Sequence, residues 1–507
     1  MHLIGLDVGT TGCKALVIDP EKGRAVGRGF REYGIDADGS GKAEQDAGEV
    51  WALSKTVMRE AIAEAGVREI AAVAASVQGD AIIAVDGAGV ALAPAILGMD
   101  YRCRSEIPAV ADRFDGYALF ERTGMRPHPI NFFLKMLWLR RAMPEVFTRA
   151  ARLVTYSDYV MGRMGCPGVM DDCMASRTMC YNLARSDWDG EILAAFDFPP
   201  ALLSSVISSG AAAGAMSVEL AAGLGLANRP LVVAGGHDQP VAAIGAGAVA
   251  SDIAVVSTGT AEVLSRVLDA PQISPGMYNS YYPCYRSAMG EGYFTFSLNH
   301  AGGLALRWFR DNWGGEEARQ AAATGRDAYA VIDDGMPPGP TDIFVMPHFN
   351  GSGTPDCDLS SRAAFVGLTL STDRPTVALA LLEGLTFELR RNLDRMRELG
   401  MATSRLRNVG GGSRSARWLQ LKADILGVPV DSMRDADAAC IGAATLAGMG
   451  AGIFASAAEG ADRLCRTERT CEPDVEMAKR YAERYAAYKT LHGTLAPFHA
   501  ARAVGKA

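Results

Sequence analysis

The sequence predicts an α/β protein built from two related halves. Short apolar runs typical of strands alternate along the 507 residues with longer amphipathic runs typical of helices. The N-terminal plan of strand, Gly/Thr turn and strand at residues 2–19 recurs at residues 253–264. A repeated unit of this kind indicates two domains with a cleft between them, where ligand sites concentrate.

Six apolar runs have the composition of buried strands, and two longer stretches have the periodicity of amphipathic helices. The strands are expected at residues 70–76, 81–85, 153–155, 231–234, 253–257 and 343–345, and the helices at 49–65 and 375–399. The repeat places a domain boundary near Ala246, although no linker marks it. We therefore expect domains at residues 1–246 and 247–507.

Composition excludes several classes of protein. The formal net charge of −8 argues against a nucleic-acid partner. The longest apolar stretch, residues 241–256, is interrupted by Ser251 and Asp252, which argues against a membrane span. No basic segment precedes the first apolar run, and the ten cysteines form no Cys-x-x-Cys pair. We expect a cytoplasmic enzyme with reduced thiols; a homodimer is one candidate assembly.

The N-terminal hairpin has the residues of a phosphate-binding turn. Asp7 ends an apolar strand directly before Gly9-Thr10-Thr11-Gly12. The two glycines are expected to adopt the positive φ of a tight hairpin, so that amides and threonine hydroxyls converge on an anion. The carboxylate of Asp7 suits a hydrated Mg²⁺. A hairpin with no ligand is the alternative, and the sequence leaves both open.

The second hairpin differs from the first at one position. Ser257 stands where the first hairpin has Asp7, so Ser257, Thr258, Gly259 and Thr260 offer hydrogen-bond donors without a carboxylate. The two turns would be complementary, one on the metal side and one on the phosphate side.

Two further glycine clusters share features with nucleotide-binding patterns. Residues 410–412 follow an apolar run and precede a helix, which suits either close approach to a flat ligand or a flexible loop. Residues 245–250 imitate a dinucleotide fingerprint, but the apolar run before them is short and begins with Pro240. We expect that second cluster to serve helix or turn packing.

Asp238 is the best candidate for a catalytic base. It lies in Gly235-Gly-His-Asp-Gln239, directly after an apolar strand. A carboxylate at a strand end can reach into a cleft and deprotonate a substrate hydroxyl, as phosphoryl transfer requires. An equally open interpretation is that Asp238 is the N-cap of the following helix.

Taken in this order, these motifs resemble those of the FGGY carbohydrate kinases of the actin, Hsp70 and sugar kinase superfamily. Further matches lie at residues 347–355, 365–369, 382–387, 423–430 and 441–447, so the resemblance spans most of the chain. It implies two RNase H-like (actin-like ATPase) domains that close around ATP, Mg²⁺ and a small sugar or polyol.

The resemblance also implies roles for individual residues. It makes Asp238 the general base and places Asp7 and Asp238 at the Mg²⁺ ion. The nucleotide would be held by Thr10, Thr11, Gly12, Lys14, Thr258, Gly259, Thr260, Gly411, Gly412 and Ser415. For Lys14 the alternative is a side chain that points along the strand into solvent.

Substrate recognition is expected around residues 76–81, Ser-Val-Gln-Gly-Asp-Ala. This segment matches neither the Gly-Gln-Met-His-Gly of xylulose kinases nor the Asn-Gln-Arg-Glu-Thr of glycerol kinases, although its Gln and Asp follow the glycerol-type pattern without the arginine. The candidate substrate residues are Gln78, Gly79, Asp80, Asp100, Asp238 and Gln239. A structural ion pair between Asp80 and Arg102 is the alternative.

Aromatic residues in one helical stretch have two interpretations. Phe132, Phe133 and Trp138 would form an apolar wall of the substrate site or, as such spacing more often indicates, part of the core.

The resulting hypothesis is an ATP-dependent kinase that phosphorylates a terminal hydroxyl of a small sugar. A pentulose such as xylulose comes first, and a glycerol- or erythritol-type polyol second. A different class remains open: a non-kinase actin- or Hsp70-like ATPase, or a regulatory sugar-binding protein.

Overall fold

The computed structural model describes residues 1–504. Its first large sheet has six strands in the order β5-β6-β4-β1-β2-β3. They are β1 (His2–Val8), β2 (Gly12–Asp19), β3 (Arg24–Glu32), β4 (Ile70–Val77), β5 (Ala212–Ala215) and β6 (Leu231–His237). β1, β2 and β3 are antiparallel neighbours, whereas β4 lies parallel to both β1 and β6.

The second large sheet has seven strands in the order β9-β10-β8-β7-β11-β12-β13. They are β7 (Ile253–Thr258), β8 (Glu262–Leu268), β9 (Tyr285–Arg286), β10 (Tyr293–Asn299), β11 (Arg405–Val409), β12 (Val430–Met433) and β13 (Thr467–Cys471). β7, β8 and β10 are antiparallel neighbours, and β11 lies parallel to β7 and β12. The same plan therefore occurs in both sheets, which confirms the prediction of two related α/β halves.

Helices surround the two sheets. They are α1 (Ala47–Ala65), α2 (Ile107–Ala111), α3 (Gly116–Thr123), α4 (Phe132–Ala142), α5 (Pro144–Arg149), α6 (Tyr156–Met164), α7 (Asp172–Ala175), α8 (Gly190–Ala195), α9 (Val218–Gly223), α10 (Asp238–Gly245), α11 (Pro275–Asn279), α12 (Gly303–Asn312), α13 (Gly315–Thr324), α14 (Ala328–Gly335), α15 (Arg374–Glu398), α16 (Ala416–Leu426), α17 (Ala438–Gly450), α18 (Ala457–Leu464), α19 (Val475–Tyr488) and α20 (Leu491–Val504).

Short elements complete the fold. Two-stranded pairs join Glu44–Gln45 to Ala95–Ile96, Ile83–Val85 to Arg152–Val154, Val169–Asp171 to Ser205–Ile207, Tyr181–Asn182 to Asp187–Trp188, and Phe344–Met346 to Ala364–Val366. Single 3₁₀ turns lie at Arg102–Glu106, Pro200–Leu202 and Gly411–Arg414. In the described part of the chain no helix is long and apolar enough to span a membrane. All ten cysteines are free thiols.

Helix α17 lies far along the chain yet packs on the first sheet. It contacts β1, β4 and β6, and its other side packs along α10. The approach to the sheet is close because Gly5 of β1 has no side chain: a Cβ there would overlap the carbonyl oxygen of Cys440. The first sheet is therefore covered by a helix from the second half of the sequence.

Glycines also allow α10 and α17 to interlock. A Cβ at Gly245 would overlap the carbonyl oxygen of Ala438, and a Cβ at Gly442 would overlap that of Val241. Gly245 thus serves helix packing, as expected, rather than dinucleotide binding. The domain boundary near Ala246, directly after α10, stays a prediction.

A single apolar core joins the two sheets through these helices. It contains Leu3 and Val233 from the first sheet, Val255 and Val267 from the second, and Leu446 from α17. Burial of apolar surface contributes roughly 25 cal/mol per Å², so this shared core holds the two halves together. In contrast, Phe132 and Phe133 of α4 are fully buried in a peripheral core, so the interpretation of these rings as core is confirmed.

The interlocked glycines generate a stability prediction. Gly442→Ala should lower the free energy of unfolding by about 2 kcal/mol or more, because the added methyl group must displace the backbone of α10. Thermal or urea unfolding measures the loss. Gly315→Ala is the matched control, since nothing lies within 4 Å of a Cβ there. Equal stability of Gly442→Ala and the wild type would contradict this packing.

Candidate active site

Three hydrogen bonds support the first hairpin turn, Gly9–Thr11. The Gly9 amide donates to the Gly12 carbonyl at 3.0 Å, and the Tyr33 hydroxyl donates to the Gly9 carbonyl at 2.6 Å. Gln78 also donates its side-chain amide to Gly9, at 3.3 Å, so this residue supports the hairpin as well as being a substrate candidate. In contrast, the hydroxyls of Thr10 and Thr11 have no hydrogen-bond partner within residues 1–504.

The expectation of positive φ in this turn was wrong. Neither Gly9 nor Gly12 lies in the left-handed region. Glycine is needed at position 12 for another reason: a Cβ there would lie 2.8 Å from the Arg31 carbonyl oxygen of the neighbouring strand β3. Close approach of the backbone, rather than turn conformation, therefore explains this residue.

Asp7 lies near the end of β1, where Ser76 of β4 donates to its Oδ1 at 3.1 Å. Burial raises the pKa of Asp7 to about 6, although the Ser76 hydrogen bond and the charge of Lys14 oppose the rise. Lys14 was expected to contact the nucleotide, with a side chain pointing into solvent as the alternative. The side chain is 40% exposed and its Nζ lies 2.8 Å from Oδ1 of Asp437, just before α17, so the nucleotide contact stays a prediction.

Asp238 is the first residue of α10, and His237 is the N-cap. The alternative that Asp238 caps the helix is therefore wrong by one residue. His237 Nε2 lies 3.0 Å from Asp238 Oδ1. Loss of hydration raises the pKa of Asp238 to about 7, and the negative charge of Asp7 adds to the rise. The two carboxylates are thus close enough to oppose each other's ionisation.

A hydrogen-bonded pair, His237 and Tyr285, lies beside the Asp238 carboxyl group. His237 Nδ1 lies 3.1 Å from the Tyr285 hydroxyl. Burial lowers the pKa of His237 well below its usual value and raises that of Tyr285 well above, so the imidazole is neutral and the phenol keeps its proton. Tyr285 then donates to Nδ1, and the other ring nitrogen, Nε2, is the atom in contact with Asp238 Oδ1. The second carboxyl oxygen, Oδ2, is not part of this contact.

Asp80, one of the substrate candidates at residues 78–80, has a partner that the sequence did not predict. Asp80 is buried and forms an ion pair with Arg177, not with Arg102. The proposed Asp80–Arg102 pair is therefore wrong. Asp80 also adopts a φ of 64°, and Gly79 lies against His237, where a Cβ would be 2.7 Å from Nε2.

Asp100 and Arg102 form their own pair. Arg102 Nε donates to Asp100 Oδ2 at 2.9 Å, and the Ala43 amide donates to the same oxygen at 2.9 Å. Arg102 also bonds Glu44. Asp100, a substrate candidate, is therefore engaged in structural contacts on both oxygens, whereas Gln239 is half-buried beside Asp238.

In the second hairpin, the Thr258 hydroxyl, an expected phosphate donor, is used within the protein. Lys422 Nζ donates to the Thr258 hydroxyl at 2.8 Å, and that hydroxyl donates to Glu262 Oε1 at 2.9 Å. Thr258 thus has no hydroxyl proton left for a phosphate, contrary to expectation. Gly259 and Thr260 are exposed at the turn, but the Gly259 amide, which was expected to donate to a phosphate, already donates to the Ala261 carbonyl at 3.0 Å.

A buried polar cluster lies beneath this hairpin. Lys422 Nζ also lies 2.8 Å from Glu262 Oε1 and 2.7 Å from Asn408 Oδ1, and all three residues are buried. Burial lowers the pKa of Lys422, and the charge of Glu262 opposes that change. The cluster fixes β7, β8, β11 and α16 relative to one another.

The third glycine cluster lies against the second hairpin. Gly410 has a φ of 83°, and a Cβ there would lie 2.7 Å from the Thr258 carbonyl oxygen. Gly411 instead faces open space, and a Cβ at Gly412 would lie 3.2 Å from the ring of Trp418. Ser415 is the N-cap of α16, because its hydroxyl accepts from the Trp418 amide at 3.0 Å.

Sequence reasoning missed Arg177, Tyr285 and Lys422. Arg177 had a detectable signal, since it is the single charged residue in the run 173–181. Tyr285 and Lys422 had none, because each meets its partners only across the fold.

Phosphoryl transfer requires groups that bind phosphate and a base that accepts a proton. This chain has two hairpins of the same plan, a partly exposed carboxylate with a raised pKa, and a glycine-rich loop at the start of a helix. The class of protein is a two-domain phosphotransferase. The chain belongs to the FGGY family of carbohydrate kinases, whose N-terminal domain model matches residues 2–245 and whose C-terminal domain model matches residues 254–451. It is therefore a sugar phosphotransferase, and kinases of this family take their phosphate from ATP.

Relatives align over almost the whole chain. A xylulose kinase from Bacillus subtilis is 26% identical over 499 residues, which cover 97% of this chain and 96% of that protein. A glycerol kinase from Bordetella parapertussis is 31% identical over 502 residues, covering 96% of each. The crystal structure of a xylulose kinase from Rhodospirillum rubrum has a TM-score of 0.89 at 26% identity and covers 98% of this chain and 100% of that chain.

The buried lysine cluster generates a second prediction. Lys422→Met should lower the free energy of unfolding by about 3–5 kcal/mol, because Glu262 is left as an unpaired buried charge. Lys14→Met is the control: this side chain is 40% exposed, so its ion pair should contribute less than about 1 kcal/mol. Urea unfolding of both variants compares the two losses. Similar losses would contradict the assignment.

Proposed function

We propose that this chain transfers the γ-phosphoryl group of ATP to a terminal hydroxyl of a small ketose, with a pentulose such as xylulose as the first candidate. The observation that supports this most is the environment of Asp238. Its carboxyl group is held by His237 at 3.0 Å and its pKa is raised, chiefly by burial, to about 7. A base with a pKa near neutrality is suited to accept a proton from a hydroxyl.

In the proposed mechanism, Asp238 Oδ2 accepts the proton of the substrate hydroxyl as its oxygen attacks the γ-phosphorus. His237 Nε2 lies 3.0 Å from Oδ1, and this contact restricts rotation of the carboxyl group. Tyr285 holds the imidazole from its other side, at 3.1 Å. Pre-orientation of this kind reduces the entropy lost in reaching the transition state.

The nucleotide is proposed to lie between the two hairpins. The free hydroxyls of Thr10 and Thr11 and the amide of Gly12 suit the β- and γ-phosphates, with Gly259 and Thr260 on the opposite side. Gly411, which faces open space, suits contact with adenosine, and Gly412 lies beside it. Lys14 and Thr258 contribute indirectly. Lys14 holds the first hairpin through Asp437, and Thr258 holds the second through Glu262.

Asp7 and Asp238 are the residues that fit Mg²⁺. Their carboxylates oppose each other's ionisation, and hard oxygen donors of this kind suit the ion. Within residues 1–504 no three ligands are arranged to hold a metal on their own, which suits an ion that arrives with the phosphates and keeps its waters. When bound, Mg²⁺ would neutralise charge on the phosphate oxygens.

A glycerol- or erythritol-type polyol is the second candidate. Gln78 and Asp80 follow the glycerol-type pattern, and Asp238 is followed by Gln239 as in that pattern. The similarity to a glycerol kinase from Bordetella parapertussis favours the same candidate. Family membership argues against the actin- or Hsp70-like ATPase and the regulatory sugar-binding protein.

The proposal predicts sugar-dependent ADP release. In a coupled assay with ATP and Mg²⁺, D-xylulose or another pentulose should give the highest kcat/KM in a panel that includes glycerol, erythritol, the pentuloses and hexonates. Without sugar, turnover should be low, because water is a poor substitute for a positioned hydroxyl. A best substrate among the polyols would favour the second candidate, whereas equal ADP release without sugar would contradict both.

Replacement of the base gives a fourth prediction. Asp238→Asn should lower kcat on the order of 10²-fold or more, because an amide cannot accept the hydroxyl proton. ADP affinity and melting temperature should stay close to those of the wild type, since Asn has the same shape as Asp. Asp462→Asn, at an exposed position on α18, is the control. Normal turnover by Asp238→Asn would remove Asp238 as the base.

A further inference from the structure

Arg177 is a buried cation with unused hydrogen-bond donors. It follows α7, is 2% exposed, and pairs through one nitrogen with one oxygen of Asp80. Its Nε and Nη1 groups have no partner in the part of the chain described, and neither has Oδ1 of Asp80. Buried polar groups are nearly always hydrogen-bonded, so three unpaired atoms on one ion pair indicate a ligand that completes them.

The ion pair lies beside the proposed base. Burial raises the pKa of Asp238, and the positive charge of Arg177 opposes that rise. The guanidinium carbon is 4.8 Å from the ring centre of Tyr285 and 5.5 Å from that of Phe296. These rings fix the plane of the guanidinium group, because arginine stacks on aromatic faces. A molecule that reaches Asp238 is therefore close to Arg177.

Position 79 lies between His237 and the guanidinium group. A Cβ at Gly79 would lie 2.7 Å from His237 Nε2 and 3.4 Å from Arg177 Nε, so glycine is required there by His237 while the guanidinium group is at contact distance. The positive charge beside position 79 thus comes from residue 177, almost a hundred positions later. The neighbouring Asp80 is held at a φ of 64°, which is uncommon for a residue other than glycine and persists where surrounding structure imposes it.

We propose that Arg177 and Asp80 together form the substrate-specificity site. The ligand is a neutral sugar chain with two neighbouring oxygens next to the reacting hydroxyl. One hydroxyl of the substrate donates to Asp80 Oδ1. An adjacent hydroxyl or carbonyl oxygen of the substrate accepts from Nε and Nη1 of Arg177. This inference rests on the proposed function, because it names the substrate class of the same site.

Charge favours a neutral substrate over an acid sugar. Arg177 is already neutralised by Asp80. Asp7 and the base itself, Asp238, are further acidic groups there, and the ammonium group of the nearby Lys135 already donates to the carbonyl oxygens of Pro129 and Ile130. A substrate carboxylate would therefore face carboxylates. A buried charge without a partner is strongly disfavoured. The pair therefore selects for hydroxyl and carbonyl groups and against aldonates.

The competing explanation is a purely structural ion pair. Arg177→Met alone would leave Asp80 unpaired and destabilise the protein whatever the role of the pair. The double variant Arg177→Met/Asp80→Asn removes both charges at similar volume and separates the two explanations. Arg122→Met/Asp189→Asn is the matched control, because it removes another arginine–aspartate pair of the first half, with Arg122 Nε 3.0 Å from Asp189 Oδ2.

The experiment measures melting temperature, ADP affinity and sugar kinetics for both double variants. For Arg177→Met/Asp80→Asn we expect a melting temperature and an ADP Kd close to those of the wild type. Its kcat/KM for the best neutral sugar should fall about 100-fold or more, through a raised sugar KM, because the substrate oxygens lose charge-assisted partners. The control should keep normal sugar kinetics.

A conservative variant tests the geometry of the donors. Arg177→Lys keeps the positive charge but loses the two-donor fork. We expect it to fold normally and to lose at least about tenfold in kcat/KM for sugar. Wild-type kinetics in this variant would overturn the inference even if the double variant failed to fold.

The remaining outcomes distinguish this inference from the proposed function. If the wild type phosphorylates sugars and Arg177→Met/Asp80→Asn keeps the same kcat/KM, the pair is structural and the inference alone fails. An aldonate preferred over every neutral sugar would also overturn it while leaving the kinase intact. A wild type that accepts no sugar of the panel would overturn the proposed function and this inference with it.

Discussion

The close packing of α17 against β1 and α10 is the constraint on which the rest of the structure depends. Side chains at Gly5, Gly245 or Gly442 would overlap backbone carbonyl groups, so glycine is the residue that permits these approaches. The packing also sets the site. β1 ends near Asp7, α10 begins at Asp238, and Asp437 before α17 holds Lys14 of the first hairpin. A shift of α17 would therefore move both carboxylates and the hairpin together.

Buried charges divide into a structural group and a candidate functional group. Lys422 is satisfied by Glu262, Asn408 and Thr258, and its cluster joins three strands to a helix. Glu262 Oε2 in the first group has no partner within the described residues, and in the group around Asp238 the same holds for Nε and Nη1 of Arg177 and for Oδ1 of Asp80. Incomplete pairing costs stability. In the second group the unpaired atoms belong to both members of one ion pair, and this is the observation on which the proposed substrate contacts rest.

Local motifs were predicted better than their hydrogen bonds. The hairpins, the position of Asp238 after a strand and the helix after Gly410–Gly412 follow from short sequence patterns, because turns and strand ends are determined by neighbouring residues. The inward hydroxyl of Thr258 and the pairing of Asp80 with Arg177 do not follow from such patterns. Arg177 lies 97 positions after Asp80, and Lys422, which donates to Thr258, lies 164 positions after it, although the acceptor Glu262 is only four positions away.

The sequence by itself determined the α/β class, the duplicated hairpin plan and the family, since these depend on periodicity, turn residues and motif order. Only the tertiary structure decided how the charges are paired, which glycines serve packing rather than turns, and that His237, bonded to Tyr285, lies against Asp238. The physical reason is that hydrogen bonds and close contacts act over a few ångströms in space. Separation along the chain does not determine which groups come that close.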